Sequence, residues 1–251
     1  MKMGVSLLLF NLKEGLKLCS DNKLIEHIEI GVDNISDCDE IAKYKDKIQE
    51  LNLSVGIHLP MELNTCEEVD YIRDRWVDFI NIVHEKLGDL NVQYYNMHLG
   101  YVRSGKLNRR NKKYLHNSID FFDKLSLNEN LKDTYITMEN TYSDGGDLCW
   151  VGNNMEDFFY IFSNTKNKNL YFCYDSGHDL INRSNYFSLK DKFKVLHLSD
   201  NDGYMDQHLG LNNGILSEFM VRQMMSSKAE YLVLEMDLKY IKSSIPAFQK
   251  N

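Results

Sequence analysis

Short runs of apolar and β-branched residues recur eight times along the chain, and a longer stretch follows each. The runs are "MGVSLLLF", "HIEIGV", "LSVGIHLP", "VQYYNMHLG", "TYITMEN", "LYFCYDSGH", "KVLHLSD" and "YLVLEMD". Their length marks them as strands, and their near-continuous apolarity suits strands buried on both faces of a sheet. Between them lie "CDEIAKYKDKIQELN", "CEEVDYIRDRWVDFINIVHEKLGDL" and "NKKYLHNSIDFFDKLSL", where apolar residues recur at spacings of three and four with charges between, the signature of amphipathic helices. Eight strand–helix units in 251 residues predict an α/β protein, a closed (β/α)8 TIM barrel, with an open doubly wound sheet as the alternative. No linker rich in Gly, Pro or Ser interrupts the pattern and there are only two prolines, so residues 1–251 read as one domain.

Composition narrows the partners. With 43% hydrophobic and 26% charged residues the chain can bury a large core, which excludes disorder and fibres. A formal net charge of −8 argues against a general coat for nucleic acid or an anionic membrane surface. No stretch approaches the roughly 20 apolar residues of a membrane span, and the apolar run near the N-terminus is short for a signal peptide, so a cytoplasmic location is expected. The five cysteines are scattered and never form a CxxC pair; they read as reduced, buried and non-catalytic.

Chemistry gathers at the C-terminal ends of six consecutive predicted strands: His58, His98, Glu139, Asp175 with His178, His197 with Asp200, and Glu235. In a barrel of this kind that face builds the active site, so residues distant in sequence converge there. Asp206 and His208 follow the seventh strand as an Asp-x-His pair. Neutral imidazole and carboxylate are the usual ligands of zinc, manganese and iron, and carboxylates crowded into one mouth repel without a cation, so the set points to a divalent metal. His27, His84 and His116 fall at a strand start or inside helices and read as structural.

The segments "HLPMELN", "MHLG", "TMENT", "CYDSGHDL", "HLSDNDGYMDQHLG" and "VLEMD", in this order and at these strand ends, resemble the xylose isomerase-like barrels, or AP endonuclease family 2 superfamily. That superfamily holds endonuclease IV and many sugar and sugar-phosphate isomerases and epimerases. The resemblance to endonuclease IV implies up to three zinc ions: one on His58, His98 and Glu139, a second on Glu139, Asp175, His197 and Glu235, a third on His178, Asp206 and His208. The resemblance to the epimerases implies a single ion such as manganese, cobalt or magnesium on the second set alone. Glu139 and Glu235 would then exchange a proton with the substrate carbon, and His178 would help orient the sugar.

Three readings follow. A metal-dependent isomerase or epimerase of a sugar or sugar phosphate would move a proton at a carbon beside a polarised carbonyl. A zinc phosphodiesterase would cleave abasic DNA or another phosphoester, which the full ligand set favours but the short, acidic chain does not. A barrel that binds metal or a partner without catalysis would be expected to have lost a ligand, and none is lost. The basic segment "YVRSGKLNRRNKKY" after the fourth strand, with Arg103, Lys106, Arg109, Arg110, Lys112 and Lys113, is either a solvated loop running into a helix or a grip on phosphate. Asn64 and Asn140 are candidate hydrogen-bonders to substrate, and Tyr142, Trp150 and Tyr204 could face a sugar ring.

Overall fold

A computed structural model describes residues 1–143 and 145–248; the side chains of residues 108–110 lie outside that description. Eight parallel strands close into a barrel: β1 (Lys2–Leu7), β2 (Ile25–Gly31), β3 (Ser54–His58), β4 (Val92–His98), β6 (Tyr135–Glu139), β8 (Leu170–Asp175), β9 (Phe193–Leu198) and β10 (Tyr231–Leu234), where β1 pairs with both β2 and β10. Closure excludes the open sheet. The remaining strands, β5 (Tyr101–Arg103) and β7 (Leu148–Trp150), form a small antiparallel ribbon built from the loops after β4 and β6.

Helices α1 (Leu12–Asp21), α2 (Asp37–Ala42), α3 (Lys45–Glu50), α4 (Asp70–Leu87), α5 (Ser104–Leu125), α6 (Met155–Asn164), α7 (Ser176–Asn182), α8 (Glu218–Met225) and α9 (Leu238–Ser244) lie between the strands and after the last. In α4 the buried residues Arg73, Val77, Ile80, Val83 and Leu87 follow the three-and-four spacing, and that stripe is the face laid against the barrel. The stretch "CDEIAKYKDKIQELN" departs from the single helix its periodicity predicts. It splits into α2 and α3 because Ile41 and Ile48 are the buried anchors of two separate turns, and Tyr44 N bonds back to Ile41 O at 2.9 Å between them. The basic segment begins as β5 and continues as the first turns of α5, so it is not a loop.

Parallel register sets the height of each functional side chain. His98 stands beside Glu139, Asp175 beside His197, His58 beside Asn96, and Glu29 beside Gly56. Because side chains alternate across a strand, His27 and Glu29 share one face of β2, as do Tyr94, Asn96 and His98 on β4. Tyr94, Cys173, Val195, Tyr231 and Val233 pack together as a cluster distinct from the main core. Gly56 makes room for it: a Cβ there would lie 2.2 Å from Tyr94 Cζ.

Candidate metal centre

The C-terminal mouth of the barrel gathers all nine expected ligand residues, most of them at the last or penultimate position of a strand. His58, His98, Glu139 and Asp175 end β3, β4, β6 and β8, His197 is next to last in β9, and Glu235 directly follows β10. At the centre, His197 Nδ1 lies 2.7 Å from Glu235 Oε2, 3.5 Å from Glu139 Oε2 and 3.8 Å from Asp175 Oδ2. On one side His58 Nε2 is 3.2 Å and His98 Nε2 3.9 Å from the Glu139 carboxylate. On the other, Asp206 Oδ2 sits 3.2 Å from His178 Nε2 and 3.1 Å from His208 Nε2.

Local structure decides which atom each residue offers. Asp175 is the N-cap of α7: its Oδ1 accepts the His178 backbone N–H at 2.6 Å, which leaves Oδ2 for the mouth. Three histidines are held by main-chain carbonyls. His58 Nδ1 donates to Leu59 O at 2.9 Å, His178 Nδ1 to Asn140 O at 2.8 Å, and His208 Nδ1 to Glu235 O at 2.9 Å, so each turns Nε2 toward the carboxylates of the mouth. His197 is reversed. Its Nε2 faces Glu29 at 3.0 Å and its Nδ1 faces the carboxylates.

Burial and like charge make this cluster expensive without a cation. Burial pushes the Asp175 carboxyl up to about 8, helped by the charges of Glu235, Glu139 and Asp206 and opposed by His178. Burial works against a charge on His58, yet the hydrogen bond and charge of Glu139 raise it to about 9. His98 is pushed down to about 4, mainly by burial. Glu139 is also desolvated, but the charges of His197 and His98 hold its carboxyl well below the usual range.

Glu139 Oε1, Asp175 Oδ2, His197 Nδ1, Glu235 Oε2, His98 Nδ1 and Asp206 Oδ1 are buried and make no hydrogen bond. His197 Nδ1 and Glu235 Oε2 are close but out of line for one, as expected of atoms aimed at a common point between them. The donor atoms of Glu139, Asp175, His197 and Glu235 lie within 4.8 Å of one another, and so do those of His58, His98 and Glu139. Ligands at about 2.0–2.2 Å from a zinc ion can stand no more than about 4.4 Å apart, so both groups need only small shifts to close on one. Orphaned buried polar atoms in an acidic mouth fit a divalent metal, and the residues present can hold it.

Other expectations fare differently. Asn140 is fully buried, its Nδ2 donates to Asp175 O at 2.9 Å and its Oδ1 accepts Asp175 N–H at 2.7 Å, so it locks β6 to β8. Asn64 is likewise a brace, with Nδ2 bonded to Tyr101 O at 2.9 Å and Oδ1 to the Cys66 thiol, also at 2.9 Å. Asp200 accepts the N–H groups of Gly214 and Leu216 at 2.8 Å each, shaping the loop that carries Asp206 and His208 rather than orienting His197. Arg103 is exposed on β5 and lines a cavity of about 240 Å³ with Asn64, Tyr101 and Lys106, away from the nine ligand candidates. Lys106 and Lys113 both pair with Glu68, which neutralises part of the expected phosphate grip. The side chains of Arg109 and Arg110 lie outside the described residues. Among the aromatics, Trp150 packs 5.7 Å from the His98 ring and Tyr142 5.2 Å from that of His178, whereas Tyr204 is 83% exposed. His27, His84 and His116 bond to Tyr94, Tyr95 and the Lys112 carbonyl respectively.

The site also contains residues the strand-end argument passes over. Asn96 donates to Glu139 Oε2 and is itself fixed by Thr137 Oγ1 at 2.7 Å. Glu29, in the middle of β2, is fully buried. Its signal is present in the sequence: a charged residue inside "HIEIGV", in phase with the inward positions, is rarely buried without a partner.

Residues 21–249 match the family described as xylose isomerase-like TIM barrel, the AP endonuclease 2 family. The chain belongs to that family. It is similar to the uncharacterised protein MJ1614 of Methanocaldococcus jannaschii, 25% identical over 85% of this chain and 83% of the relative. Among solved structures, a D-tagatose 3-epimerase-like protein aligns with a TM-score of 0.82 at 19% identity, covering 100% of this chain and 96% of the other. Endonuclease IV of Thermus thermophilus aligns at 0.68 and 17% identity, covering 99% and 98%. The IOLI protein with a bound zinc atom aligns at 0.76 and 16% identity, covering 100% and 96%. These likenesses establish a shared fold.

Proposed function

We propose that this xylose isomerase-like barrel is a divalent-metal-dependent isomerase or epimerase of a sugar or sugar phosphate. The observation that carries the reading is the central group of Glu139, Asp175, His197 and Glu235, whose inward atoms are buried, unbonded and within ligand range of one another. A bound ion would polarise the substrate carbonyl and acidify the adjacent C–H. Glu139 and Glu235, approaching His197 Nδ1 from different strands, would take the proton from that carbon and return one to it. His178, with its Nδ1 pinned to Asn140 O, would orient a substrate hydroxyl through Nε2. Trp150 and Tyr142, beside His98 and His178, offer apolar faces to a sugar ring. The proposed partner is a small molecule. No helix among the described residues is long and apolar enough to cross a membrane.

A second reading, an endonuclease IV-like zinc phosphodiesterase acting on abasic DNA or another phosphoester, is supported by two flanking groups: His58 with His98, and His178 with Asp206 and His208. The pairing of Lys106 and Lys113 with Glu68 weakens it, because one of their two positive charges is then offset before a nucleic-acid backbone arrives.

Metal content by mass spectrometry, on protein purified without chelator, tests the choice. The first reading expects about one manganese, cobalt or magnesium ion per chain, with exchange of solvent deuterium into a ketose or ketose phosphate. About three zinc ions with cleavage of abasic DNA would overturn it in favour of the second. Metal without turnover on any of these substrates would leave a binding barrel.

A further inference from the structure

We infer that Glu29 is a positioning residue that sets which nitrogen of His197 faces the metal, through a one-way chain of hydrogen bonds running down the barrel interior. The inference rests on the metal reading above, and it concerns a residue that reading does not use.

The chain begins at Ser54 at the start of β3. Ser54 Oγ lies 2.9 Å from His27 Nδ1, His27 Nε2 lies 2.9 Å from Tyr94 Oη, and Tyr94 O–H donates to Glu29 Oε2 at 2.7 Å. His197 Nε2 completes it, 3.0 Å from the same oxygen. His27, Glu29, Tyr94 and His197 are all fully buried, so water does not share these bonds.

Proton counting fixes the direction of every link. Tyr94 spends its only proton on Glu29, so its oxygen must accept from His27 Nε2–H. His27 is neutral, because burial pushes its imidazole down to about 3. Its Nδ1 therefore accepts from the Ser54 hydroxyl at 2.9 Å, in preference to the Glu26 carbonyl 3.2 Å from the same hydroxyl. All donors point toward Glu29, which as a carboxylate can only accept. His197 must then present Nε2–H to it, and Nδ1, which is left to ligate once its proton is displaced by a cation, faces Glu139, Asp175 and Glu235. A carboxylate behind a ligating imidazole both orients the ring and raises its basicity.

The competing arrangement would make Glu29 itself a ligand, since Glu29, His58 and His197 also come within range of one another. It would use Glu29 Oε1, which is buried and makes no hydrogen bond while Oε2 holds Tyr94, but it would give a cation one carboxylate where the Nδ1 side offers three.

The test uses the full chain. In zinc-loaded protein labelled with nitrogen-15 histidine, long-range proton–nitrogen spectra report which nitrogen of His197 carries hydrogen, the signal being assigned by its loss in His197→Gln. The expected state is Nε2–H with a zinc-bound Nδ1; a zinc-bound Nε2 would overturn the inference. Zinc affinity, measured by competition with a chromophoric chelator, should fall about 10- to 100-fold in Glu29→Gln, whose amide oxygen can still accept from Tyr94 and His197 but carries no charge to raise the basicity of the imidazole. Tyr94→Phe, which removes one link and leaves the carboxylate, should lose less. An unchanged affinity in Glu29→Gln, with metal-free melting like that of the unmodified chain, refutes the role of Glu29 alone. Should that variant not fold, the nitrogen spectra of the unmodified protein still decide. If the unmodified chain takes up no zinc at all, the metal reading itself fails and takes this inference with it.

Discussion

Metal uptake should be steeply pH-dependent, and the geometry fixes the sign. In the metal-free site Asp175 holds its proton up to about 8, and His197 is kept protonated well above its ordinary range, burial notwithstanding, by Cys173 and by the carboxylates of Glu235, Glu29 and Glu139. Both must give up a proton to act as ligands. Affinity of the central group should therefore rise with pH, at up to about a hundredfold per pH unit between pH 6 and 8, where two protons leave for each ion bound. If the flanking groups also fill, His58 at about 9 and His208 at about 10 add their own protons. Titration calorimetry of the metal-free chain with zinc, repeated in buffers of different ionisation enthalpy, counts the protons released. A zinc affinity that does not change from pH 6 to 8, with no net proton release, would show that these residues are not the ligands.

Three substitutions probe other links. Glu139→Gln should abolish turnover and loosen metal by more than tenfold under either mechanism, since Glu139 adjoins both groups; an active, metal-replete variant would refute the site assignment. His208→Ala should cost a three-zinc phosphodiesterase most of its kcat but leave a one-metal epimerase largely active, so turnover of each substrate class separates the two. Gly56→Ala would place a methyl 2.2 Å from Tyr94 Cζ, where ordinary contact begins at 3.4 Å, so the ring must retreat by roughly 1.2 Å or the strands must part. Thermal denaturation should show a loss of about 1–3 kcal/mol, a few degrees in Tm for a domain of this size, partly recovered in a Gly56→Ala, Tyr94→Leu double variant.

Much of the architecture is legible in the sequence because periodicity and burial speak the same language here. Strands covered on both faces read as apolar runs, and in six of the eight the polar residue that breaks the run at its C-terminal end reaches the mouth. His58, His98, Glu139 and Asp175 are found that way because a strand end is also a change in sequence pattern. Glu29 escapes because it breaks a run in the middle, at a depth that only a closed barrel defines. Asn64 and Asn140 mislead for a related reason. An amide beside a ligand looks the same in sequence whether it faces substrate or ties two strands together, and only the position of the Asp175 backbone distinguishes the cases. The basic segment looks like an anion grip because its counter-ion, Glu68, lies roughly 40 residues away along the chain. The β5–β7 ribbon is too short for periodicity to register, yet it delivers Trp150 to the mouth.

The two ways of holding histidines in this mouth bear on how the protein can evolve. His58, His178 and His208 are anchored by peptide carbonyls of Leu59, Asn140 and Glu235, and no substitution of a side chain deletes a carbonyl. Their orientation is inherited with the fold and is robust to drift. His197 is anchored by the side chain of Glu29, which a single codon can change. Variation at position 29 or its neighbour Tyr94 should therefore act on the orientation of His197 alone and leave the three carbonyl-held histidines as they stand.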